Sequence, residues 1–236
     1  MAFRSAARSV LETLDLQADG ITSAECGVDE LLRRARRLWR ASPLSREPAA
    51  LGVSSWEALW SDLHQDSPTS PPHATDHAET IWRQVLTALG GDPAQARFAA
   101  QLLITRREAL VCPYPGSREA LQRLSAHHRL WVVTHGSSAL QRRKLHLAGL
   151  KRYFEQIYIS AEVGHVKEEP EFANLLQERA HASGRTIRAV IGDSVSDLTL
   201  ATHGLWPAIH ICPPTCTLGE PTILHRRTLA DCPALD

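Results

Sequence analysis

The sequence has no long apolar run, no excess of charge of either sign and no dense pattern of cysteines. Because no stretch of about 18 consecutive apolar residues occurs, a membrane-spanning helix is not expected. The first residues mix charged and apolar side chains, so a secretion signal is not expected either. Acidic and basic residues balance at 26 each, which leaves no overall charge to attract nucleic acid or an anionic membrane.

Cysteine is scarce: the 5 cysteines among 236 residues form no spaced framework. An odd number without a framework favours free thiols, and we therefore expect a reducing, cytoplasmic compartment. Cys212 and Cys216 are separated by three residues, and His210 and His225 are the histidines close to them in sequence. A metal site would need two further soft ligands beside the cysteines, so ordinary loop cysteines are the preferred interpretation.

The sequence does contain an ordered change of pattern near residue 113. Before it, apolar residues recur at helical spacing. Helices are predicted there over 3–14, 28–39, 56–63, 81–89 and 96–110. The proline- and serine-rich residues 66–72 indicate a loop between them. The first predicted domain is therefore a helical module over residues 1–112.

After residue 113, short apolar runs alternate with helical segments. Strands are predicted over 130–134, 156–160, 188–191 and 208–211, and helices over 118–124, 140–147, 171–182 and 198–204. This alternation is typical of a parallel sheet with helices on both faces. The predicted fold class is α/β, with a doubly wound parallel sheet over residues 113–236.

Polar residues stand where three of these segments end. Thr134 ends one buried strand, Lys167 lies in the loop after the next, and Asp193 and Asp197 follow the third. Parallel sheets bind ligands at the carboxyl ends of their strands, so these side chains are expected at one edge. A hydroxyl, an ammonium group and two carboxylates suit phosphoryl transfer with a hard cation such as Mg²⁺.

The order Thr134, Lys167, then Gly192-Asp193-x₃-Asp197 resembles three motifs of the haloacid dehalogenase (HAD) superfamily. Intervening segments over 114–124 and 141–164 are similar to the phosphatase branch of that family. The resemblance covers residues 113–212 closely, and the helical module looks more loosely like the family's helical cap. It implies a HAD-like core with an N-terminal cap and a hydrolase activity.

The resemblance also implies roles for residues at the strand ends. It makes Thr134, Lys167 and Asp193 catalytic, with Thr134, His135, Gly136 and Lys167 contacting the substrate. His135 stands where the family more often has Asn. The implied partner is a small phosphorylated metabolite, and neither nucleic acid nor a membrane is expected.

The implied cofactor is Mg²⁺, held by Asp193 and Asp197. Such a pair has no evident use in carbon–halogen displacement, so a phosphatase is favoured over a haloacid dehalogenase. The implied mechanism runs through an aspartyl-phosphate intermediate.

The family's nucleophile, the first Asp of a D-x-D-x-T motif on the middle strand, has no counterpart in this sequence. Asp15 and Asp19 are four residues apart rather than two, and the residues before them have a helical pattern. We therefore expect the nucleophile strand to be absent from this chain and to lie upstream of Met1 in the full protein. The chain by itself is expected to be inactive. The alternative is a degenerate HAD-like protein that binds phosphate or a partner.

Gly192-Asp193-Ser194 is also similar to the turn of GDS-type serine esterases, which would make Ser194 a nucleophile. In those enzymes the turn follows the first strand, whereas here it lies near the C-terminus. His203, His210 and His225 are the histidines that follow it. This esterase interpretation is the weaker alternative.

Simpler structural roles compete with each of these assignments. Asp193 has the residue type of a helix N-cap, and Asp197 that of a first-turn acid stabilised by the helix dipole. His73 and His77 have the i, i+4 spacing of a helical metal pair, but two prolines directly before them favour a surface helix start. The ordered set of three motifs, rather than any single residue, supports the functional interpretation.

Overall fold

The computed structural model describes residues 2–14, 24–61, 63, 75–212 and 223–232. The chain forms two compact units. The helical unit contains residues 1–112 and 136–149, and the α/β unit contains residues 113–135 and 150–236. Residues 136–149, which the sequence analysis assigned to the α/β half, thus group with the helical unit. Among the described helices, none has the length and apolar character needed to cross a membrane.

The described elements follow the predicted alternation. The helices are α1 (Ala2–Thr13), α2 (Ala24–Ala41), α3 (Asp76–Ala88), α4 (Ala96–Ala109), α5 (Ser117–His127), α6 (Ser138–Leu147), α7 (Ser160–Val163), α8 (Pro170–Ala182) and α9 (Val195–Gly204). The strands are β1 (Leu130–Thr134), β2 (Phe154–Ile159), β3 (Val190–Gly192), β4 (Ala208–Ile211) and β5 (Ile223–Arg226).

The helical unit is built on one apolar core shared by α1, α2, α3 and α4. Val10, Leu31, Trp82 and Leu103 are each fully buried there, one from each helix. They recur at helical spacing with other apolar residues of the same helices, so each helix presents an apolar stripe to its neighbours. Burial of these stripes, rather than helix propensity, supplies most of the stability of such helices.

The helix predicted over residues 56–63 is wrong. The described residues there contain a single 3₁₀ turn, Glu57–Leu59. The Ser61 hydroxyl donates to the Glu57 carbonyl at 2.7 Å, and the Ser54 hydroxyl donates to the Glu57 carboxylate at 2.8 Å. Serine side chains that bond nearby backbone and side-chain groups in this way compete with a continuous helix.

The strands of the α/β unit are parallel, as predicted, but they form two sheets. Strand β1 pairs with β2 in one sheet, and β3, β4 and β5 are paired in that order in the other. Strand β5 was missed, because Ile223-Leu224-His225-Arg226 lacks the continuous apolar run of a buried strand. Within the described residues, β1 and β3 each have one paired edge and one unpaired edge.

Helices α8 and α9 pack against the first sheet through Phe172, Leu176 and Leu200. The side chains that they cover include Trp131 and Val133 of β1. These two residues are separated by one position, so they lie on the same face of β1. One face of this short sheet is therefore covered by helices, as expected of a doubly wound fold.

A groove of about 740 Å³ runs between the unpaired edges of β1 and β3. Residues 130–133 line one side, and residues 188–191 line the other. Leu121 and Leu124 of α5 and Leu176 and Leu200 of α8 and α9 line it as well. Every residue of β1 is only half-buried, which is unusual for a strand of this composition in a parallel sheet. The groove thus exposes two strand edges between apolar walls.

Leu205, directly after α9, is the non-glycine residue with positive φ in the described part of the chain (φ 55°). Its side chain is 91% exposed, so packing does not offset the strain of the left-handed conformation. Replacing Leu205 with glycine should raise the free energy of unfolding by roughly 0.5 kcal/mol, because glycine tolerates this conformation at a helix C-terminus. Urea denaturation measures the change.

The control for this prediction is Leu205→Ala, which removes the exposed side chain but keeps the backbone strain. It should give no comparable gain in the free energy of unfolding. Equal gains for the two variants would show that backbone conformation is not the cause.

Candidate active site

The turn after β3 is organised around Asp197. Ser194 is the N-cap of α9, and its backbone N–H and hydroxyl both donate to Asp197 Oδ2, at 3.1 and 2.7 Å. This capping box satisfies donors at the start of the helix. A Cβ atom at Gly192 would overlap the Asp197 carboxyl group, which explains a glycine at this position. The sequence analysis named Asp193 as a possible N-cap, and Ser194 takes that position instead.

Lys167 and Asp197 form a buried ion pair in the α/β unit. Lys167 Nζ donates to Asp197 Oδ1 at 2.6 Å, and the two side chains are 9% and 12% exposed. Both carboxylate oxygens of Asp197 are therefore engaged, one by Lys167 and one by Ser194. From the sequence, these two residues were expected at the same edge of the sheet, but their direct contact was not predicted.

Several effects set the pKa of the Asp197 carboxyl group. Burial by itself raises this pKa, but the charge of Lys167 and hydrogen bonds from Lys167 and Ser194 lower it below the ordinary value of an aspartate. A pKa lower in the folded state than in the unfolded state means that the ionised carboxylate stabilises the fold. The stabilisation is fully present above the unfolded pKa of about 4, and it is lost as the pH falls through the folded pKa.

Acid should therefore destabilise the native chain more than a variant that cannot titrate at this position. We expect the free energy of unfolding of the native chain to fall between pH 7 and pH 3 by more than that of Asp197→Asn. Urea denaturation at both pH values measures the two losses. Equal losses would contradict the assigned pKa direction.

His135 links the end of β1 to the loop that carries Lys167. Its Nε2 atom accepts a hydrogen bond from the Lys167 backbone N–H at 2.8 Å and lies 3.1 Å from a carboxylate oxygen of Glu168. His203 Nε2 lies 2.9 Å from the Glu168 carbonyl oxygen, which connects α9 to the same loop. His135 thus positions the lysine loop, while its predicted contact with substrate stays a prediction.

Thr134 is half-buried at the carboxyl end of β1, where its hydroxyl donates to the His135 carbonyl at 3.2 Å. Gly136 follows with φ 116°, and a Cβ atom there would lie 2.6 Å from the Gln141 amide nitrogen. Ser137 precedes α6 as its N-cap, and its hydroxyl is buried with no hydrogen-bond partner in the described residues. The roles of Thr134 and Gly136 in substrate binding stay predictions.

Asp193 is exposed at the end of β3. Its accessible carboxylate differs from that of Asp197, whose oxygens already accept hydrogen bonds. A Mg²⁺ ion takes oxygen ligands and keeps several waters, so one accessible carboxylate at a strand end fits this ion. The donor set fits Asp193 as the protein ligand, and direct ligation by Asp197 stays a prediction.

The arrangement around Ser194 does not favour the esterase interpretation. The Ser194 hydroxyl contacts Asp197 Oδ2 and the Ser196 hydroxyl, each at 2.7 Å. Within the described residues, none of its hydrogen bonds goes to a histidine, which a serine nucleophile needs as a base. His73, for which a surface helix start was preferred over a metal pair with His77, lies outside the described residues. His77 lies in α3 and packs edge-on against Trp39.

The helical unit contains a buried polar cluster that the sequence analysis missed. Glu57, which is 8% exposed, accepts from Lys144 Nζ at 2.7 Å and from the Gln141 amide at 3.3 Å. Burial by itself raises the pKa of Glu57, but Lys144 and Ser54 lower it overall. The Arg107 guanidinium lies 4.5 Å from the ring centroid of Trp60. These residues are far apart in sequence, so single-sequence periodicity gives no signal for the cluster.

The chain belongs to the haloacid dehalogenase-like hydrolases, because the model of that family matches residues 19–203. This match establishes the predicted HAD membership and the predicted HAD-type hydrolase class. The fold prediction, an α/β core with parallel strands, is confirmed as well.

Of two curated relatives, one is named a phosphatase and the other a nucleotidase. The chain is similar to a phosphoserine phosphatase of Thermus thermophilus, with 33% identity over 69% of this chain and 64% of that protein. It is also similar to a pyrimidine 5′-nucleotidase of Escherichia coli, with 28% identity over 58% of this chain and 57% of that protein. The matches thus span less than two thirds of the length of each relative.

Solved structures of the family share the fold at lower identity. The HAD-type protein YfnB of Bacillus subtilis, solved bound to magnesium, superposes with a TM-score of 0.58 at 20% identity, over 96% of this chain and 89% of that chain. A 2-haloacid dehalogenase of Pseudomonas syringae gives a TM-score of 0.56 at 17% identity, over 97% and 86% of the two chains. At these identities the likeness shows the fold alone.

Proposed function

We propose that this chain forms most of a Mg²⁺-dependent phosphatase that acts on a small phosphorylated metabolite. The observation that supports this most strongly is the arrangement at the end of β3. A buried Lys167–Asp197 pair stands there beside the exposed carboxylate of Asp193. The two curated relatives are named for phosphomonoester substrates, phosphoserine and a pyrimidine nucleotide, which supports the same reaction class.

Each residue at this edge has a defined task in the proposed reaction. Thr134 and the backbone N–H groups that follow it would hold the oxygens of the transferring phosphoryl group. Lys167 would neutralise negative charge on that group and on the attacking carboxylate. Asp197 would position Lys167 through their 2.6 Å contact, and His135 would fix the lysine loop.

Asp193 would hold the Mg²⁺ ion. A magnesium ion bound there supplies positive charge that offsets the negative charge of the phosphoryl group. The exposure of Asp193 leaves room for the water ligands that Mg²⁺ retains.

The nucleophile is proposed to come from an extended segment seated in the groove between β1 and β3. The groove offers two unpaired strand edges between apolar walls, and an extended segment with apolar side chains would pair with both edges and cover the walls. Asp197 lines the same groove, so one end of a seated strand lies close to the Lys167–Asp197 pair. An aspartate at that end would attack phosphorus and form the aspartyl-phosphate of the HAD mechanism.

The second candidate is a HAD-like protein that binds phosphate or a partner without catalysis. The observation that favours it is the sequence itself, which contains no D-x-D-x-T motif. Asp15 and Asp19, the nearest approximation to that motif, lie outside the described residues. We further propose a reducing cytoplasmic location, because the 5 cysteines of the sequence are odd in number and form no spaced framework.

One assay separates these candidates. The chain is extended at its N-terminus by an apolar strand that ends in D-x-D-x-T, and p-nitrophenyl phosphate, 2-chloropropionate and p-nitrophenyl acetate are offered with and without Mg²⁺. We expect Mg²⁺-dependent hydrolysis of the phosphate ester alone. Dehalogenation or acetate release as the dominant activity, or no hydrolysis by a folded protein, would overturn the proposal.

A further inference from the structure

Two histidines and a cysteine come together at the carboxyl ends of β4 and β5, the two strands that follow β3 in the same sheet. His210 of β4 and His225 of β5 are partners in the parallel register. Cys212 comes two positions after His210, so its side chain lies on the same side of the extended chain. The three residues therefore converge from two adjacent strands.

The distances within this cluster suit a metal ion. One ligand atom from each residue lies within 4.8 Å of the other two. Cys212 Sγ is 3.1 Å from His225 Nδ1, and the two imidazole rings are 5.5 Å apart between centroids. Tetrahedral Zn²⁺, with bonds of about 2.0–2.1 Å to nitrogen and 2.3 Å to sulfur, places its ligand atoms about 3.3–3.6 Å from one another. Shifts of about 1 Å would thus complete the geometry.

The cluster is also shielded from solvent. His210 is 4% exposed and Cys212 is 8% exposed. The chemistry of the donors differs from that at Asp193, because thiolate and imidazole favour zinc-like ions, whereas carboxylates favour Mg²⁺. The sequence analysis paired Cys212 with Cys216, which lies outside the described residues. His210 and His225 were named there as the nearby histidines, but ordinary loop cysteines were the preferred interpretation.

We propose that His210, Cys212 and His225 form a binding site for a soft divalent transition metal of the zinc class. The three side chains supply two nitrogen ligands and one thiolate, and a water molecule completes the tetrahedron. On binding, the Cys212 thiol loses its proton to solvent and its sulfur forms the bond to the metal. The ion joins β4 to β5 at the edge of the sheet, so it stabilises the folded α/β unit. The three ligand residues differ from those proposed for the phosphatase reaction, so the metal proposal does not rest on the proposed function.

The competing interpretation is a packed cluster without a metal, held by contacts that include the Cys212–His225 hydrogen bond and the contact of the two rings. The two interpretations differ in what the folded protein does with Zn²⁺. A metal site binds one equivalent through the thiolate, whereas a packed cluster binds none at this position.

Metal titration of the whole chain tests the proposal. Protein stripped with a chelator is titrated with Zn²⁺ in competition with a chromogenic chelator, and Co²⁺ is used as a spectroscopic probe of thiolate ligation. We expect one equivalent of Zn²⁺, a thiolate-to-Co²⁺ absorption band and a rise in Tm on metal addition. Cys212→Ser should weaken Zn²⁺ binding by about 100-fold or more and abolish the band, because loss of a direct ligand exceeds the 10- to 100-fold cost of losing an outer partner.

The matched control is Cys232→Ser, since Cys232 is a second buried thiol in the α/β unit, 5% exposed. This variant should keep the affinity and the band of the native chain. His225→Gln provides a second test if Cys212→Ser fails to fold by circular dichroism, and it should also weaken binding by about 100-fold. Absence of stoichiometric Zn²⁺ binding by the native chain, or an unchanged affinity in the folded ligand variants, would overturn the proposal.

Discussion

Replacing Lys167 with methionine is expected to lower the free energy of unfolding by about 3–5 kcal/mol, since it leaves a buried carboxylate without its partner. Lys167 Nζ lies 2.6 Å from Asp197 Oδ1, and both side chains are nearly inaccessible to solvent. Removing one member of a buried pair costs far more than the net contribution of the pair itself. Urea denaturation at pH 7 measures the loss.

Two further variants show whether the loss comes from the unpaired charge. The double variant Lys167→Met/Asp197→Asn has no buried charge at position 197, and the asparagine oxygen can still accept the hydrogen bond from the Ser194 backbone N–H. The double variant should therefore regain a large part of the lost stability. Arg185→Met breaks an exposed pair with Glu155, whose side chains are 39% and 36% exposed, and should cost less than about 1 kcal/mol. A cost for Lys167→Met no larger than that for Arg185→Met would contradict the assignment of a buried pair.

The second large effect concerns catalysis. In the N-terminally extended chain, Asp193→Asn is expected to reduce kcat/KM for p-nitrophenyl phosphate by about 10²–10³-fold, the loss typical of removing one preorganised charge-stabilising group. The neutral amide is a poorer ligand for Mg²⁺, so higher Mg²⁺ concentrations should partly restore the rate. Asp193 is exposed, so the variant should keep the stability of the native chain.

The matched control for this effect is Glu171→Gln, since Glu171 is another exposed acid of the α/β unit, in the first turn of α8. The kcat/KM of the Glu171→Gln variant for p-nitrophenyl phosphate should equal that of the extended chain without substitution. A loss smaller than about tenfold for Asp193→Asn would remove Asp193 from the metal site.

Local patterns in the sequence were sufficient to predict most elements of the α/β unit. Strand β1 was recognisable because Leu130-Trp131-Val132-Val133 is a continuous apolar run followed by the polar Thr134. The predicted helix at 171–182 matches α8 closely, since Pro170 marks its first turn. In both cases the signal lies within a few consecutive residues.

The residues of the candidate site could be proposed from the sequence, but the contacts between them could not. Asp197 was predicted as a metal ligand, and its observed partners, Lys167 and Ser194, are 30 and 3 residues away. A carboxylate that binds a metal ion and one that pairs with a lysine look the same in the sequence, because ion pairing depends on which distant residues the fold brings together. For the same reason, the bond from the Lys167 backbone to His135 had no counterpart in the sequence analysis.

Features that depend on distant packing were missed for a similar reason. Strand β5 contains the polar residues His225 and Arg226. It is a strand because it pairs with β4, and not because of an apolar run in its sequence. Residues 136–149 group with the helical unit through contacts such as Lys144 with Glu57, 87 residues apart. The two-sheet arrangement and its groove follow from which strands pair, and pairing is not encoded in the period of any single strand.

The most direct test of the proposed function is the phosphatase rate of the 236-residue chain after addition of a synthetic peptide. The peptide carries an apolar strand followed by Asp-x-Asp-x-Thr, and a matched peptide has asparagine at the first aspartate. We expect Mg²⁺-dependent hydrolysis of p-nitrophenyl phosphate with the aspartate peptide, and none above background with the asparagine peptide or with the chain alone. Equal rates with both peptides, no rate with either, or full activity of the chain alone would contradict the claim that a strand seated between β1 and β3 supplies the nucleophile.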